Sequence, residues 1–308
     1  MLASQLAAFV AVLRPRQWTK NLIVLFGIVF ARQTGQASLL ARSVAACLVF
    51  CLLSGAIYLV NDRLDLEKDR IHPEKRRRPL PSGRLPLSWV PGGLVLVLAL
   101  ALGGAWWLGR NFFVLSVIFV LLNVLYSLWL KHQVILDAFG IALNFVLRAV
   151  AGVAVLAPHV VTAFGGASGP GSVLLSPWLL VCTFFGSLFL AFAKRRSELL
   201  ELDEPGRHRP VLARYNGPLL DQLVGLSAGV VILAYALYTL WPSTVERYGA
   251  GFLLSNVFVT FGVMRYLYLA YGGGGAGDPA EVLLRDRPIQ LSALGWMLFT
   301  LWTVGLGR

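Results

Sequence analysis

Charged residues are scarce in this chain. They make up 14% of its 308 residues, whereas 57% of the residues are hydrophobic. A soluble domain usually carries roughly a quarter of its residues as charges, so this composition excludes a soluble globular protein. The long apolar runs predict instead an integral membrane protein with several membrane-spanning helices.

Cysteine and histidine are also rare, and their placement excludes two kinds of site. The three cysteines, Cys47, Cys51 and Cys182, all lie inside apolar runs, where they act as small hydrophobic residues rather than as a disulfide framework. The four histidines stand singly, without the spacing of a metal-binding motif. No basic residue precedes the first apolar stretch, which is the wrong order for a cleaved signal peptide.

The charge that is present is strongly positive, with a formal net charge of +12. In a membrane protein such an excess favours anionic lipid head groups or anionic substrates. Nucleic acid is a poor partner, because its binding needs a basic face in solution. We therefore expect a membrane and an anionic substrate as partners, and no nucleic acid.

Hydropathy predicts an all-α membrane protein with nine transmembrane helices in a single domain, residues 1–308. The predicted spans are 18–31, 38–60, 89–108, 111–130, 134–157, 174–193, 219–241, 249–271 and 289–306. Of the 27 Lys and Arg residues, 21 fall in the N-terminal segment and in the alternate loops that share its side. This bias predicts a multi-pass protein of the inner (plasma) membrane, with a cytoplasmic N-terminus and an outer C-terminus.

One polar stretch, residues 61–83, separates two of the apolar runs. Asp62, Asp65 and Asp69 stand in it at positions i, i+3 and i+7, so they share one face if the preceding helix continues through them. Three carboxylates on one face repel each other unless a cation lies among them. Since Mg²⁺ typically takes one or two carboxylates together with substrate phosphate oxygens, we predict that these aspartates are catalytic and hold Mg²⁺.

Cations follow the aspartates closely, in the run Lys75-Arg76-Arg77-Arg78. Ammonium and guanidinium groups beside a metal-binding row favour a polyanionic substrate such as a diphosphate. A basic run of this kind can equally be a solvated loop that only sets membrane topology. Both interpretations stay open for the cations, whereas one asparagine and three aspartates at the end of a span form a more specific pattern.

Other polar residues are predicted at the same end of the spans, where they would line a cytoplasm-facing cavity. Such a cavity would admit a water-soluble polyphosphate and, from the side, a lipid acceptor. Arg148 lies deep in the fifth predicted span, where a charge is rare and a functional role is the default expectation, with a structural pair as the alternative. The other candidate substrate-binding residues are Lys20, Asn21, Asn61, Lys75, Arg78, Tyr126, Lys131, Lys194, Arg195 and Glu198. Tyr126 can equally be an interfacial aromatic residue, and Lys131 and Lys194 topology signals.

Several segments spread along the chain carry a family resemblance. They are the NDxxDxxxD motif at Asn61–Asp69, the passage Tyr126–Asp137, Arg148–Gly152, Arg14–Asn21, His72–Pro79, Lys194–Leu199 and Leu284–Arg287. With the first three of these segments, the sequence resembles the UbiA superfamily of intramembrane prenyltransferases over nearly its whole length. With the other four, it is similar to the branch of that superfamily that transfers phosphoribose to polyprenyl phosphates.

The resemblance implies a UbiA-type helical bundle and a magnesium-dependent phosphoribosyltransferase. Its donor would be phosphoribosyl diphosphate and its acceptor a polyprenyl phosphate such as decaprenyl phosphate. Its product would be a precursor of cell-wall arabinan, as found in arabinogalactan. The resemblance also implies a homo-oligomer, with a trimer as the expected form.

The segment between the sixth and seventh predicted spans departs from the prenyltransferase pattern. Those enzymes usually carry a second aspartate motif, DxxxD, in a place where this chain has Lys194-Arg195-Arg196-Ser197-Glu198. A donor with an additional phosphate would gain from the extra cations, which favours phosphoribosyl transfer. Two alternatives remain: a UbiA-type enzyme that transfers a prenyl group to an aromatic acceptor, and a polyprenyl-lipid transporter, which would place its site near the midplane.

Overall fold

The computed structural model describes residues 2–31, 35–71, 74–156, 161–163, 173–175, 177–201, 210–272, 282 and 285–306. His72, Pro73 and Leu284, which belong to segments quoted above, lie outside these residues. The α-helices in chain order are α1 (Leu2–Val12), α2 (Phe26–Phe30), α3 (Ala37–Leu64), α4 (Leu66–Ile71), α5 (Trp89–Leu108), α6 (Arg110–Leu128), α7 (Leu136–Ala154), α8 (Pro177–Glu201), α9 (Gly217–Leu240), α10 (Pro242–Tyr248), α11 (Asn256–Tyr271) and α12 (Arg287–Leu306).

Shorter elements connect these helices. Single-turn and longer 3-10 helices cover Pro15–Leu25, Lys75–Arg77, Leu130–His132, Pro210–Arg214 and Ala250–Ser255. Two three-residue strands, β1 (Val161–Ala163) and β2 (Val173–Leu175), pair in parallel with Val161 opposite Val173. The described part of the chain is therefore almost entirely helical, as the hydropathy pattern predicts.

Seven of the described helices are long and apolar enough to cross a membrane, namely α3, α5, α6, α7, α8, α9 and α11 with its preceding 3-10 turn. They match seven of the nine predicted spans and show a multi-pass integral membrane protein. The first predicted span, 18–31, falls on the 3-10 helix Pro15–Leu25 and the short helix α2, and the ninth, 289–306, falls on α12. The count of nine stays a prediction.

The chain forms two compact units. The first contains Met1–Leu128 and Val146–Leu175, and the second contains Trp129–Phe145 and Ser176–Arg308. Helix α7 therefore gives its N-terminal half to the second unit and its C-terminal half to the first. The single domain predicted for residues 1–308 stays a prediction, and each unit is described by itself.

Helix α3 is central to the first unit, where it packs against α5, α6 and the 3-10 helix Pro15–Leu25. Phe50 of α3 is fully buried and makes edge-to-face contacts with Phe112 and Phe119 of α6, at ring-centroid distances of 5.7 and 5.0 Å. Aromatic pairs in this arrangement contribute about 0.5–1.5 kcal/mol each beyond the area they bury. This packing fixes α3, and with it the polar residues at its C-terminal end.

Arg42, near the start of α3, was not predicted as a site residue, and its guanidinium binds backbone carbonyl groups of the first unit. Its guanidinium donates a hydrogen bond of 3.2 Å to the backbone oxygen of Val155 and another to that of Leu108. Both carbonyl groups lie at helix C-termini, where the helix dipole favours a cation and carbonyl groups lack helical partners. Arg42 therefore joins the ends of α5 and α7.

Two glycines allow the start of the chain to approach α7 closely. A methyl group built on Gly152 would lie 2.0 Å from the backbone oxygen of Val24, and one built on Gly27 would lie 2.3 Å from the backbone oxygen of Gly152. Both obstacles are backbone atoms, which cannot rotate away as a side chain can. Gly152, the last residue of the Arg148–Gly152 segment, is therefore required by packing.

Replacing Gly152 by alanine is expected to destabilise the protein by about 3 kcal/mol or more, because the new methyl group forces two backbones apart. Unfolding of the purified protein by SDS in mixed micelles measures the loss. The matched control is Gly103→Ala on α5, where an added methyl group meets nothing within 4 Å. A Gly152→Ala protein as stable as the control would contradict the close approach.

The second unit is built on contacts of α8 with α9 and of α11 with α9 and α12. Phe189 and Tyr266 meet edge-to-face at 5.3 Å in its core. Asp286 caps α12, since its carboxylate accepts the backbone N–H of Ile289 at 2.9 Å and a guanidinium N–H of Arg265 at 2.9 Å. This pair fastens the start of α12 to α11.

Candidate active site

The predicted row of aspartates lies where α3 gives way to α4. Helix α3 ends at Leu64, Asp65 forms a one-residue break, and α4 begins at Leu66. Backbone hydrogen bonds from Asp65 N–H to Asn61 O (2.9 Å) and from Asp69 N–H to Asp65 O (2.8 Å) keep the helical turn through the break. Asp62 and Asp69 are buried, with 1% and 3% of their surface exposed, and Asp65 is half-buried.

Arg78 joins the two buried aspartates. Its Nη1 lies 3.2 Å from Oδ1 of Asp62 and 2.6 Å from Oδ2 of Asp69. Lys75, three residues earlier, places its Nζ 3.9 Å from Oδ1 of Asp69. The structure therefore brings together four residues of the predicted site, and a buried carboxylate pair of this kind needs such cations to offset its desolvation.

A third cation in this cluster, Arg14, was not among the predicted site residues. Its guanidinium forms an ion pair with Oδ1 of Asp62 and lies over the ring of Tyr58, 4.6 Å from the centroid. Arg14 precedes Asp62 by 48 residues, so no local spacing indicates the contact. Only the packing of the chain start against α3 reveals it.

The oxygen atoms of Asp62 are used unequally. Oδ1 accepts from both Arg14 and Arg78, whereas Oδ2 is buried and has no hydrogen-bond partner. A buried carboxylate oxygen without a partner carries a free-energy cost, which a bound cation would remove. Oδ2 of Asp62 is therefore the atom of this cluster best suited to a metal ion.

The described residues contain no group of three or more His, Cys, Asp or Glu side chains close enough to hold a metal ion by themselves. Magnesium does not require such a cage, because it usually binds one or two carboxylates and completes its coordination with water and substrate phosphate oxygens. The pair Asp62 and Asp69, with cations beside it, fits a magnesium ion that arrives with a phosphate ligand.

Asn61 and Tyr126 belong to the same unit. The Oγ of Ser127, on α6, donates a hydrogen bond of 2.8 Å to Oδ1 of Asn61 and so sets the orientation of that amide. Tyr126 is the half-buried neighbour of Ser127 on the same helix. Lys20 is also half-buried, on the 3-10 helix Pro15–Leu25. Ser127, which no sequence pattern indicated, fixes a predicted site residue in place.

Arg148 lies in a polar centre inside the first unit. Its Nε donates a hydrogen bond of 2.8 Å to Oδ1 of Asn21, its Nη2 lies 3.5 Å from Oγ of Ser54, and its guanidinium lies over the ring of Phe119 at 4.7 Å. Asn21 Nδ2 also donates to the Sγ of Cys51 at 3.4 Å. The structure therefore joins two predicted site residues, Asn21 and Arg148, and fixes the guanidinium from three sides.

A separate ion-pair network lies in the second unit. Asp137, which is fully buried, accepts a hydrogen bond of 2.7 Å from Nε of Arg195 and one of 2.8 Å from the hydroxyl of Tyr215. Arg195 also donates to Oε2 of Glu198 at 2.7 Å. Arg195 and Glu198 are therefore paired with each other, and Asp137 holds the guanidinium from the other side.

Tyr215 connects this network to a strained turn. Its hydroxyl oxygen accepts the backbone N–H of Ile135 at 2.7 Å, and Ile135 has a φ of 69°. A β-branched residue is rarely found in that left-handed region. Burial raises the pKa of Tyr215 well above its ordinary value, and the negative charge of Asp137 raises it further. The hydroxyl therefore stays protonated and can keep donating to Asp137.

Lys131 and Lys194 are both half-buried residues of the second unit. Lys131 lies in the 3-10 helix Leu130–His132, four residues before Ile135, and Lys194 directly precedes Arg195 on α8. Tyr215 was not predicted as a site residue, and it stands in no motif that a sequence pattern distinguishes. The long separations of these partners hide the network from sequence analysis.

The fold and the polar clusters define a polytopic α-helical membrane protein with an aspartate–arginine cluster at the end of one span. A model of the UbiA prenyltransferase family matches residues 21–277. Since this match covers most of the chain, the chain belongs to the UbiA prenyltransferase family.

Two relatives extend this similarity over almost the full length. A protein of Mycobacterium tuberculosis named decaprenyl-phosphate phosphoribosyltransferase is 35% identical over 302 residues, which is 96% of this chain and 93% of the relative. A protein of the same name from Corynebacterium glutamicum is 34% identical over 295 residues, which is 92% of this chain and 83% of the relative.

A solved structure confirms the fold. A UbiA homolog from Archaeoglobus fulgidus, bound to DMAPP and Mg²⁺, superposes with a TM-score of 0.69 at 18% identity and covers 96% of this chain and 99% of that protein. This likeness establishes the all-helical UbiA fold predicted from the sequence.

Proposed function

We propose that this chain is a magnesium-dependent transferase that moves 5-phosphoribose from phosphoribosyl diphosphate to a polyprenyl phosphate such as decaprenyl phosphate, with release of diphosphate. The names of the two relatives described above support the substrates, because each of those relatives is at least 34% identical to this chain. The product would serve as a precursor of cell-wall arabinan.

The cluster around Asp62 is the observation that carries this proposal. Two buried carboxylates meet three cations, and one carboxylate oxygen remains without a hydrogen bond. Acids and bases interleaved in this way suit a substrate that brings both a metal ion and several phosphate charges.

Asp62, Asp65 and Asp69 are the residues that would hold Mg²⁺, with the free Oδ2 of Asp62 as the best-placed atom. When bound, the ion acts as a Lewis acid that draws charge from the leaving diphosphate. Solved UbiA relatives bound to Mg²⁺ support the choice of this ion.

The cations of this chain supply the rest of the stabilisation. Lys75 and Arg78 bind the diphosphate, and the oriented amide of Asn61 adds a polar contact. As the bond between C1 and the diphosphate oxygen breaks, its electron pair stays on the diphosphate, where fixed cations stabilise the added charge. An oxygen of the acceptor phosphate forms the new bond to C1 with inversion. That phosphate is already anionic at pH 7, so we assign no general base.

The remaining predicted binding residues have supporting roles in this proposal. Arg148, fixed by Asn21, holds a phosphate of one of the two substrates. Lys20, Tyr126, Lys131 and Lys194 are proposed as further substrate-binding residues. Arg195 and Glu198 are proposed to bind substrate while they remain paired with each other and with Asp137.

The proposed topology follows from the charge bias of the sequence. Nine spans place the N-terminus and a cytoplasm-facing cavity on the inner side of the plasma membrane, and the C-terminus on the outer side. Residues 1–308 act as one UbiA-type transmembrane domain, and the protein assembles as a homo-oligomer, with a trimer expected.

Phosphoribosyl transfer can be tested on the purified full-length chain in detergent. Phosphoribosyl diphosphate labelled in its 5-phosphate is incubated with decaprenyl phosphate and Mg²⁺, and the butanol-extractable label is counted. We expect label to enter the lipid, the transfer to stop with excess EDTA and to resume when Mg²⁺ is restored, because the aspartates need the ion to bind the donor.

Two other outcomes would overturn this proposal. Transfer of a prenyl group from a prenyl diphosphate to an aromatic acceptor, without phosphoribosyl transfer, would make the chain a prenyltransferase of the other kind. Movement of chemically unchanged polyprenyl phosphate across liposome membranes, again without transfer, would make it a lipid transporter.

A further inference from the structure

The aspartates of the cluster are already neutralised by side chains of the chain itself. Arg14 and Arg78 share Oδ1 of Asp62, Arg78 also binds Asp69, and Lys75 lies beside Asp69. These contacts set three cations against two carboxylates. A metal ion that approaches alone therefore meets carboxylates whose negative charge is already offset by guanidinium and ammonium groups, and this weakens its binding.

Arg14 is held in its contact with Asp62 by the surrounding structure. Its φ and ψ angles are 53° and 63°, in the left-handed region that residues other than glycine rarely adopt and that persists only where the surroundings enforce it. Its side chain keeps 27% of its surface exposed, so it reaches solvent from its contact with Asp62.

We propose that Arg14 is a displaceable counter-ion and a diphosphate-binding residue. It neutralises Asp62 while the site is empty, and it transfers its hydrogen bonds to the diphosphate when a metal ion takes the carboxylate. This inference rests on the function proposed above and adds to it a residue and an order of binding.

One consequence is that metal and diphosphate bind together. A metal ion that binds alone at Oδ2 of Asp62 is opposed by the charge of Arg14 on Oδ1 of the same carboxylate, whereas a metal–diphosphate complex also supplies phosphate oxygens to which the guanidinium can move. Charge-assisted hydrogen bonds to phosphate are strong and directional for arginine. The wild-type protein is therefore expected to bind the metal weakly alone and much more tightly with diphosphate.

The experiment measures binding to the detergent-purified full-length chain, with Mn²⁺ as a spectroscopic substitute for Mg²⁺. Electron paramagnetic resonance gives the Kd of Mn²⁺ alone, and calorimetry at saturating Mn²⁺ gives the Kd of inorganic pyrophosphate. For Arg14→Gln we expect Mn²⁺ alone to bind about tenfold tighter, because the empty site loses the hydrogen bond from Arg14 to Asp62. We expect pyrophosphate to bind about tenfold weaker, because the bound site loses the hydrogen bond from Arg14 to phosphate.

The matched control is Arg16→Gln. Arg16 lies two residues after Arg14, and its side chain is exposed. Neither Kd should change by more than about twofold in this variant, because an exposed charge beyond contact distance is screened. If Arg14→Gln does not yield folded protein, Arg14→Lys takes its place. Lysine keeps the charge without the planar fork, so both Kd values should move in the same directions by a smaller factor.

The opposite directions of the two changes make the proposal falsifiable. If both affinities fall, Arg14 only supports the fold of the site, and if neither changes, it does not compete with the metal; either result overturns the inference. A wild-type chain that binds Mn²⁺ and pyrophosphate as expected but transfers no phosphoribose would refute the proposed function and leave the role of Arg14 intact.

Discussion

Asp62→Asn is expected to lower kcat of phosphoribosyl transfer by roughly 10²–10³-fold or more, because the groups that stabilise charge on a leaving group are worth about that much. Asparagine keeps the size and one oxygen of the side chain but removes the negative charge that Arg14 and Arg78 contact and that the proposed metal ion would need. The label-transfer assay with purified protein measures the change at saturating donor.

Glu67→Gln is the matched control for this substitution. Glu67 lies on α4 between Asp62 and Asp69 in the sequence, but its side chain is 80% exposed and pairs with Arg70 on the helix surface. Its loss should alter kcat by less than about twofold, since exposed ion pairs contribute little. An Asp62→Asn enzyme with activity within tenfold of the control would remove the metal role from this aspartate.

Arg195→Met is expected to cause the largest loss of stability, about 3–5 kcal/mol, because it leaves the buried carboxylate of Asp137 without its cation. The guanidinium and the carboxylate expose only 2% and 0% of their side-chain surfaces, so water cannot replace the lost partner. Unfolding by SDS in mixed micelles measures this loss.

The double substitution Asp137→Asn with Arg195→Met should recover about 2 kcal/mol or more of that loss. The buried charge is then absent, and the asparagine oxygen still accepts from Tyr215, whose hydroxyl donates to Asp137 at 2.8 Å. Such recovery is the signature of two residues that act as a pair. A double variant no more stable than Arg195→Met would contradict the pairing.

The folded double variant also tests the proposed contact of Arg195 with substrate. A raised KM for phosphoribosyl diphosphate would assign a phosphate to Arg195, since stability has been restored independently. An unchanged KM would leave Arg195 with the structural role alone. The KM therefore distinguishes a role of Arg195 in substrate binding from its role in stability.

The membrane class, most of the helices and the position of the acidic row could be predicted from the sequence. Hydropathy is a property of each segment by itself, so α3 and α5 fall close to their predicted bounds. The geometry of the first predicted span was harder to predict. Residues 15–25 form a 3-10 helix, and an apolar stretch alone does not distinguish 3-10 from α-helical geometry. The sequence likewise did not predict the break at Asp65, because the residues around it are compatible with a helix that continues as well as with one that is interrupted.

By itself, then, the sequence determined where apolar helices form and that Asp62 and Asp69 lie seven residues, or about two helical turns, apart, because both depend on local periodicity. The tertiary structure alone decided which residues become partners. Arg14 neutralises Asp62, Asn21 accepts a hydrogen bond from Arg148, and Arg195 forms an ion pair with Asp137. These partners are 48, 127 and 58 residues apart. Which cation meets which acid depends on how the helices pack, and the charge pattern of any one segment carries no record of that packing.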